Sequence, residues 1–176
     1  MRPRERGFNL IEIMVTLLVV SVVVTLGAPS LADFINEMRL SATTNDLLSF
    51  FNYARSEAAK RGSRVTVCLS SDLSTCDTTG VDWAQGAVAF VDADGNNQVN
   101  GGETVVRVLN PTNGVTIFAK SGAGFPSPDY RFYYRPSGAA SAQGTLEVCR
   151  SGRKIREISI NAVGRPMSQV MTTTCP

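Results

Sequence analysis

The sequence predicts an α+β protein, a long N-terminal helix packed on antiparallel β-sheets. Three observations predict it. Residues 8–29 are apolar save for one charge, Glu12. Residues 30–62 repeat apolar side chains at three- or four-residue steps. Beyond Gly62 the chain breaks into short β-branched or apolar runs, separated by loops rich in Gly, Ser, Asn and Pro.

The first stretch reads F-N-L-I-E-I-M-V-T-L-L-V-V-S-V-V-V-T-L-G-A-P. At about 1.5 Å per residue, a helix of this length reaches roughly 30 Å, the thickness of a bilayer's hydrocarbon core. Its polar residues after Glu12 are Thr16, Ser21 and Thr25, whose hydroxyls can bond back to helix carbonyls. Glu12 needs a different account. A carboxylate in a membrane segment costs on the order of 2.5–3.5 kcal/mol on insertion scales, so it requires a cationic partner. The next basic residue along the chain is Arg39, far beyond reach. A cut after Gly7 would place the new α-amino group of Phe8 one helical turn from Glu12, and the amine of one subunit could neutralise the carboxylate of its neighbour.

R-G-F-N-L-I-E resembles the class III leader junction of type IV pilins and type II secretion pseudopilins. The resemblance implies a leader of residues 1–7, cleavage by a prepilin peptidase between Gly7 and Phe8, and N-methylation of Phe8. It also implies that Glu12 is the assembly residue through which the helix joins other pilin or pseudopilin subunits. Pro29 falls where many pilins carry a helix-kinking proline. Asn9 departs from the usual Thr.

The formal charge of +2 belongs to this leader, where Arg2, Arg4 and Arg6 face Glu5 alone; the remainder balances. Basic residues ahead of an apolar helix hold the N-terminus in the cytoplasm, so the expected location is the bacterial inner membrane with the C-terminal part in the periplasm. This is not an ordinary secretory signal, because the cut precedes the apolar run and the helix stays in the mature chain. The periplasm permits disulfides, and the four cysteines allow three pairings. The pairing expected is Cys68 with Cys76, closing a short polar loop, and Cys149 with Cys175, tying down the chain end. Zinc finds no support, since the chain has no histidine and its Cys spacings match no zinc pattern.

From residue 30 to 62 the helix becomes amphipathic. Leu31, Ile35, Met38, Ala42, Leu48, Phe51, Ala54 and Ala58 form the expected packing stripe, and Lys60-Arg61-Gly62 reads as a helix stop. A β-rich domain over 63–176 follows, with strands expected at 64–69, 87–91, 104–109, 115–119, 130–134, 145–148 and 155–160. Within it, Y-A-R-S-E-A-A-K-R-G at 53–62, V-T-V-C at 65–68, F-V-D-A-D-G-N at 90–96, G-E-T-V-V-R-V at 102–108 and I-N-A-V-G-R-P at 160–166 resemble the FimT/FimU and GspH branch of the same superfamily. The resemblance implies a minor pilin acting in pilus biogenesis or DNA uptake, with a type II secretion minor pseudopilin as the alternative.

Catalysis finds little support: without histidine no Ser-His or Cys-His arrangement exists, and no Ser-Lys motif is visible. No cofactor is expected. One segment resembles a cation site, because Asp92, Asp94, Asn96, Gln98, Asn100 and Glu103 put oxygen-bearing side chains at positions 1, 3, 5, 7, 9 and 12 of an EF-hand-like loop. Asn97 stands in place of the sixth-position Gly and strands flank the segment, so it reads first as a hairpin turn and second as a calcium site. Charge is unevenly spread. Residues 66–106 hold six acids and no Lys or Arg, whereas 107–176 hold nine bases and three acids. Arg150, Arg153, Lys154, Arg156 and Arg165, with Arg131 and Arg135 among aromatic residues 130–134, form the expected basic flank for DNA. FimT-type pilins bind DNA through G-R-x-R; this chain has Gly164-Arg165-Pro166-Met167, which lacks the second Arg. The competing reading is solvated strand faces with a salt bridge to Glu157.

Overall fold

The computed structural model describes residues 7, 9–80, 82–120, 125 and 130–176. Residues 1–6 of the expected leader, Phe8 and the side chain of Pro29, with the kink expected there, lie outside the described residues. One helix, α1, spans Leu10–Arg61. It opens where Glu12 and Ile13 donate backbone N–H bonds to Asn9 at 3.0 and 3.2 Å. It closes at Gly62, whose φ of 61° is left-handed, as Ser63 N–H reaches back to the Ala58 carbonyl. Lys60 and Arg61 in the last turn complement the helix dipole.

The chain divides into two compact units, residues 1–39 and 40–176. The described part of the first is bare helix: Leu10, Ile11, Met14, Leu17, Leu18 and Val23 are all exposed. In the second, α1 buries Leu40, Leu47, Phe50, Phe51, Ala54 and Ala58. This corrects the stripe expected from periodicity. Leu31, Ile35, Met38 and Ala42 are exposed and Leu48 is only half-buried, so packing begins at Leu40. Thr43 and Thr44 hold the inward positions between Leu40 and Leu47. Thr44 is acceptable there because its hydroxyl donates to the Leu40 carbonyl at 2.7 Å.

Eight strands follow among the described residues: β1 Val65–Leu69, β2 Ala87–Val91, β3 Val105–Leu109, β4 Thr116–Ala119, β5 Phe132–Tyr134, β6 Gly144–Cys149, β7 Lys154–Ile160 and β8 Pro166–Thr174. They form two four-stranded sheets, ordered β3-β2-β1-β5 and β4-β6-β7-β8, with every pairing antiparallel. The α+β fold is therefore as expected, with one strand more. β8 escapes periodicity because it starts at a proline and reads P-M-S-Q-V-M-T-T-T, with no apolar alternation. Only one partner, β7, lies beside it, and an edge strand needs no second buried face.

A single core joins the inner face of α1 to both sheets, through Phe51, Val67, Ala89, Phe132, Leu146 and Ile158 among others. Phe51 makes ring contacts at 5.8 Å with both Trp83 and Phe132. The other face of β1 and β2 carries a smaller cluster of Cys68, Cys76, Val88 and Phe90, which explains why β1 is buried at every position. Disulfides join Cys68 to Cys76 and Cys149 to Cys175, and no cysteine is free. The second closes a loop worth up to about 3.5 kcal/mol in the chain-entropy model and fixes the end of β8 beside the β6–β7 turn. Asp82 ties the two sheets together: its Oδ1 accepts from Ala84 N at 2.9 Å, capping a 3-10 turn at Trp83–Gln85, and from Ile117 N of β4 at 2.8 Å.

Candidate functional site

Three places carry the chemistry singled out in the sequence. The first is the N-terminal part of α1. Gly7 and Glu12 are both exposed, and Glu12 stands in the first helical turn. Thr16, Ser21 and Ser30 donate to the carbonyls of Ile13, Leu18 and Gly27 at 2.9, 2.7 and 2.8 Å, and Thr25 donates to Ser21. The hydroxyls thus satisfy themselves within the helix, and Glu12 is left as the one polar group of this stretch that looks outward for a partner. The helix is long and apolar enough to cross a membrane.

The second place is the β2–β3 hairpin loop. Asp92 is buried there, and its Oδ2 accepts from Thr66 Oγ1 at 2.6 Å and Asn97 N at 3.2 Å, with Arg64 Nε at 3.1 Å. Glu103 accepts from Ala93 N and Asn100 N at 2.9 and 3.0 Å. Asp94 takes Asn96 N at 3.1 Å and the side-chain amides of Asn96 and Asn100, each at 2.8 Å. Gln98 donates its N–H to Asn96 Oδ1 at 2.7 Å. The hairpin reading holds, since β2 and β3 pair directly.

The third is the basic set, and the structure does not gather it into one flank. Arg150, Arg153 and Lys154 lie at the β6–β7 turn. Arg165 lies at the β7–β8 turn, at the other end of β7, because Lys154 pairs with Thr174 and Ile160 with Pro166. Six residue steps at about 3.3 Å put roughly 20 Å between the two ends. Arg150 also spends Nη1 on the Gly114 carbonyl at 2.6 Å. Three of the four aromatics at 130–134 are not free to stack on bases: Phe132 and Tyr134 are buried, and Tyr133 carries the Arg64 guanidinium 3.5 Å above its ring. Arg131 donates to the Asn97 carbonyl at 3.1 Å. The ion pair at Glu157 is made by Lys120, on the neighbouring β4–β5 connection, a residue outside the basic set from which it was expected. That contact, with a bond from Gln169 Nε2 at 2.7 Å, holds Glu157 below the usual carboxylate range, and Lys120 is raised in turn. Nothing in the spacing of Lys120 flagged it; only sheet pairing brings residues 120 and 157 together.

Gly164 has a structural reason for its place in the partial motif. Its φ is 78°, and a Cβ would stand 2.0 Å from the Gly138 carbonyl oxygen. Arg55 of α1 clasps the same two turns, donating from Nε to Gly138 O at 2.9 Å and from Nη2 to Val163 O at 3.0 Å. No local sequence signal marks this clasp, because the partners of Arg55 are backbone carbonyls far along the chain.

A family model described as type II transport protein GspH matches residues 43–164. Two crystal structures of the type IV minor pilin FimU of Pseudomonas aeruginosa (strain PAO1) share the fold. Their TM-scores are 0.58 and 0.55 at 19% and 18% identity, covering 80% and 76% of this chain and 98% of each FimU chain. The minor pseudopilin EpsH from the type 2 secretion system of Vibrio cholerae matches at a TM-score of 0.48 and 10% identity, over 76% of this chain and 96% of its own. Among curated protein sequences no match is found. With a family model spanning most of the chain, this protein belongs to the GspH family.

Proposed function

We propose that this chain is a minor type IV pilin of the FimT/FimU kind, built into a pilus through its N-terminal helix. The observation that carries the reading is the first part of α1, where the large apolar side chains from Leu10 to Val24 are exposed and a single carboxylate, Glu12, stands in the first turn. Such a surface suits lipid before assembly and the same helix of neighbouring subunits afterwards. Glu12 then supplies register, because its charge is tolerable in an apolar bundle only beside a cation. In this reading a prepilin peptidase cuts between Gly7 and Phe8, Phe8 is N-methylated, and its amine meets Glu12 of the adjoining subunit. Pro29 bends the helix between its membrane and periplasmic parts. Residues 63–176 fold in the periplasm, where two disulfides are sustainable.

A second reading is favoured by the family match itself: a type II secretion minor pseudopilin with the same helix chemistry in a different fibre. A DNA receptor is the least supported role, since the basic residues sit at opposite ends of β7.

The test is Glu12→Val in the native host. Leader cleavage should stay intact while the variant disappears from sheared fibres; wild-type amounts in the fibre would overturn the charge-pairing argument. Mass spectrometry of the mature protein should find N-methylated Phe8 at its terminus. Deleting the gene should impair piliation and leave secretion intact, and the reverse result selects the pseudopilin reading.

A further inference from the structure

The β2–β3 loop brings three carboxylates together: one oxygen each from Asp92, Asp94 and Glu103 lies within 4.8 Å of the others. Two oxygens on opposite sides of a calcium ion are separated by about 4.6–5.2 Å, twice the metal–oxygen bond, so this spacing fits that cation. An exposed acidic cluster alone would mean little. The distinguishing feature is Asp92, which is buried and whose Oδ2 already receives Thr66, Asn97 and Arg64. Its Oδ1 is equally buried and has no hydrogen-bond partner. A buried carboxylate oxygen without a donor is a costly arrangement, and a cation at the loop would relieve it.

The backbone removes one of the two objections raised by the sequence, the missing sixth-position glycine. Asn97, at the place where an EF-hand loop puts glycine, adopts a φ of 62°. Asparagine is among the few residues that take this left-handed conformation readily. We propose that the loop binds calcium, with Asp92 Oδ1, Asp94 and Glu103 as charged ligands. Asn96 and the Gln98 carbonyl stand at the fifth and seventh positions to add neutral oxygens. Arg64 beside Asp92 and Arg131 on the Asn97 carbonyl offset part of the negative charge. Affinity should therefore fall in the weak range of extracellular calcium modules, with Kd about 10⁻⁴–10⁻³ M. The proposal is independent of which fibre the protein joins.

The test uses the full chain in detergent micelles, with calcium chloride as the only ligand, followed by titration calorimetry and thermal unfolding against EGTA. At ten times Kd the folding equilibrium should shift about eleven-fold, which raises Tm by about 3–6 °C. Asp94→Asn and Glu103→Gln, both at solvent-accessible positions, should keep the fold by circular dichroism and lose the heat and the shift. No heat and no shift at 10 mM calcium, an equal shift with magnesium, or a shift that survives in the double variant would each overturn the proposal.

Discussion

Single residues in this protein act through partners that the linear chain keeps far apart. Glu157 is the clearest case. Its carboxylate is held below the usual range, first by the bond from Lys120 and then by Gln169. A carboxylate depressed in the folded state contributes stability that is present above its unfolded value of 4.5 and is lost as pH falls through the folded value. Lys120, raised above 10.5, contributes stability below that pH and loses it as pH rises through its folded value. Glu157→Gln should therefore lower the unfolding midpoint in the neutral region and converge with the wild type as pH falls below 4.5, so that the acid limb is flattened. An unaltered acid limb would show that the Lys120 contact contributes nothing. Gly164 supplies the second test at this scale. Gly164→Ala must hold a side chain at φ 78° and force its Cβ into the Gly138 carbonyl, so a loss of about 2 kcal/mol or more is expected in chemical denaturation. Arg165→Gln next to it, exposed and bonded through its backbone N–H to Asn161, should cost under about 0.5 kcal/mol.

At the scale of elements, α1 serves two different environments along one helix. Up to Arg39 its apolar side chains face outward, and from Leu40 one side enters the core. The buried face is defined by Leu40, Leu47, Phe51, Ala54 and Ala58, a phase that passes through two threonines. Leu47→Ala should therefore cost about 2–5 kcal/mol by cavity formation, whereas Leu31→Ala should leave domain stability unchanged. Equal losses at the two positions, by denaturation of the full chain in micelles, would restore the stripe read from periodicity. β8 is the counterpart among strands: polar, at a sheet edge, and fastened at its end by Cys175 to Cys149.

For the whole molecule, antiparallel pairing decides which charges can act together. Arg165 and the group Arg150, Arg153 and Lys154 occupy opposite ends of β7, so a short DNA segment meets one end at a time. Three phosphates neutralised at one end give a slope of about −2.7 in log K against log salt for duplex DNA. Binding to DNA, if measured on the full chain at low salt, should show a slope no steeper than about −3. Arg165→Gln should leave that slope unchanged when the β6–β7 end carries the contact. A slope near −4 that falls by one unit in Arg165→Gln would put both ends on one DNA path.

Much of this protein was legible along the chain because the signals concerned are local. An apolar run of this length has few fates, so the helix and the need of Glu12 for a partner follow from composition, while the resemblance to pilins rests on one contiguous motif, R-G-F-N-L-I-E. Seven of the strands were visible as short apolar runs bounded by turn residues. The tertiary structure decided the rest. It chose Leu40 over Leu31 as the start of packing, because helical periodicity carries no absolute phase once threonines occupy inward positions. It gave β8 its strand, since an edge position asks for hydrogen bonding to β7 rather than for apolar alternation. It divided a basic flank that is continuous in sequence, paired Lys120 with Glu157, and buried Asp92 with one oxygen unpartnered. Each of these depends on strand ends or side chains that meet only through long-range pairing, and that information is absent from any single stretch of the chain.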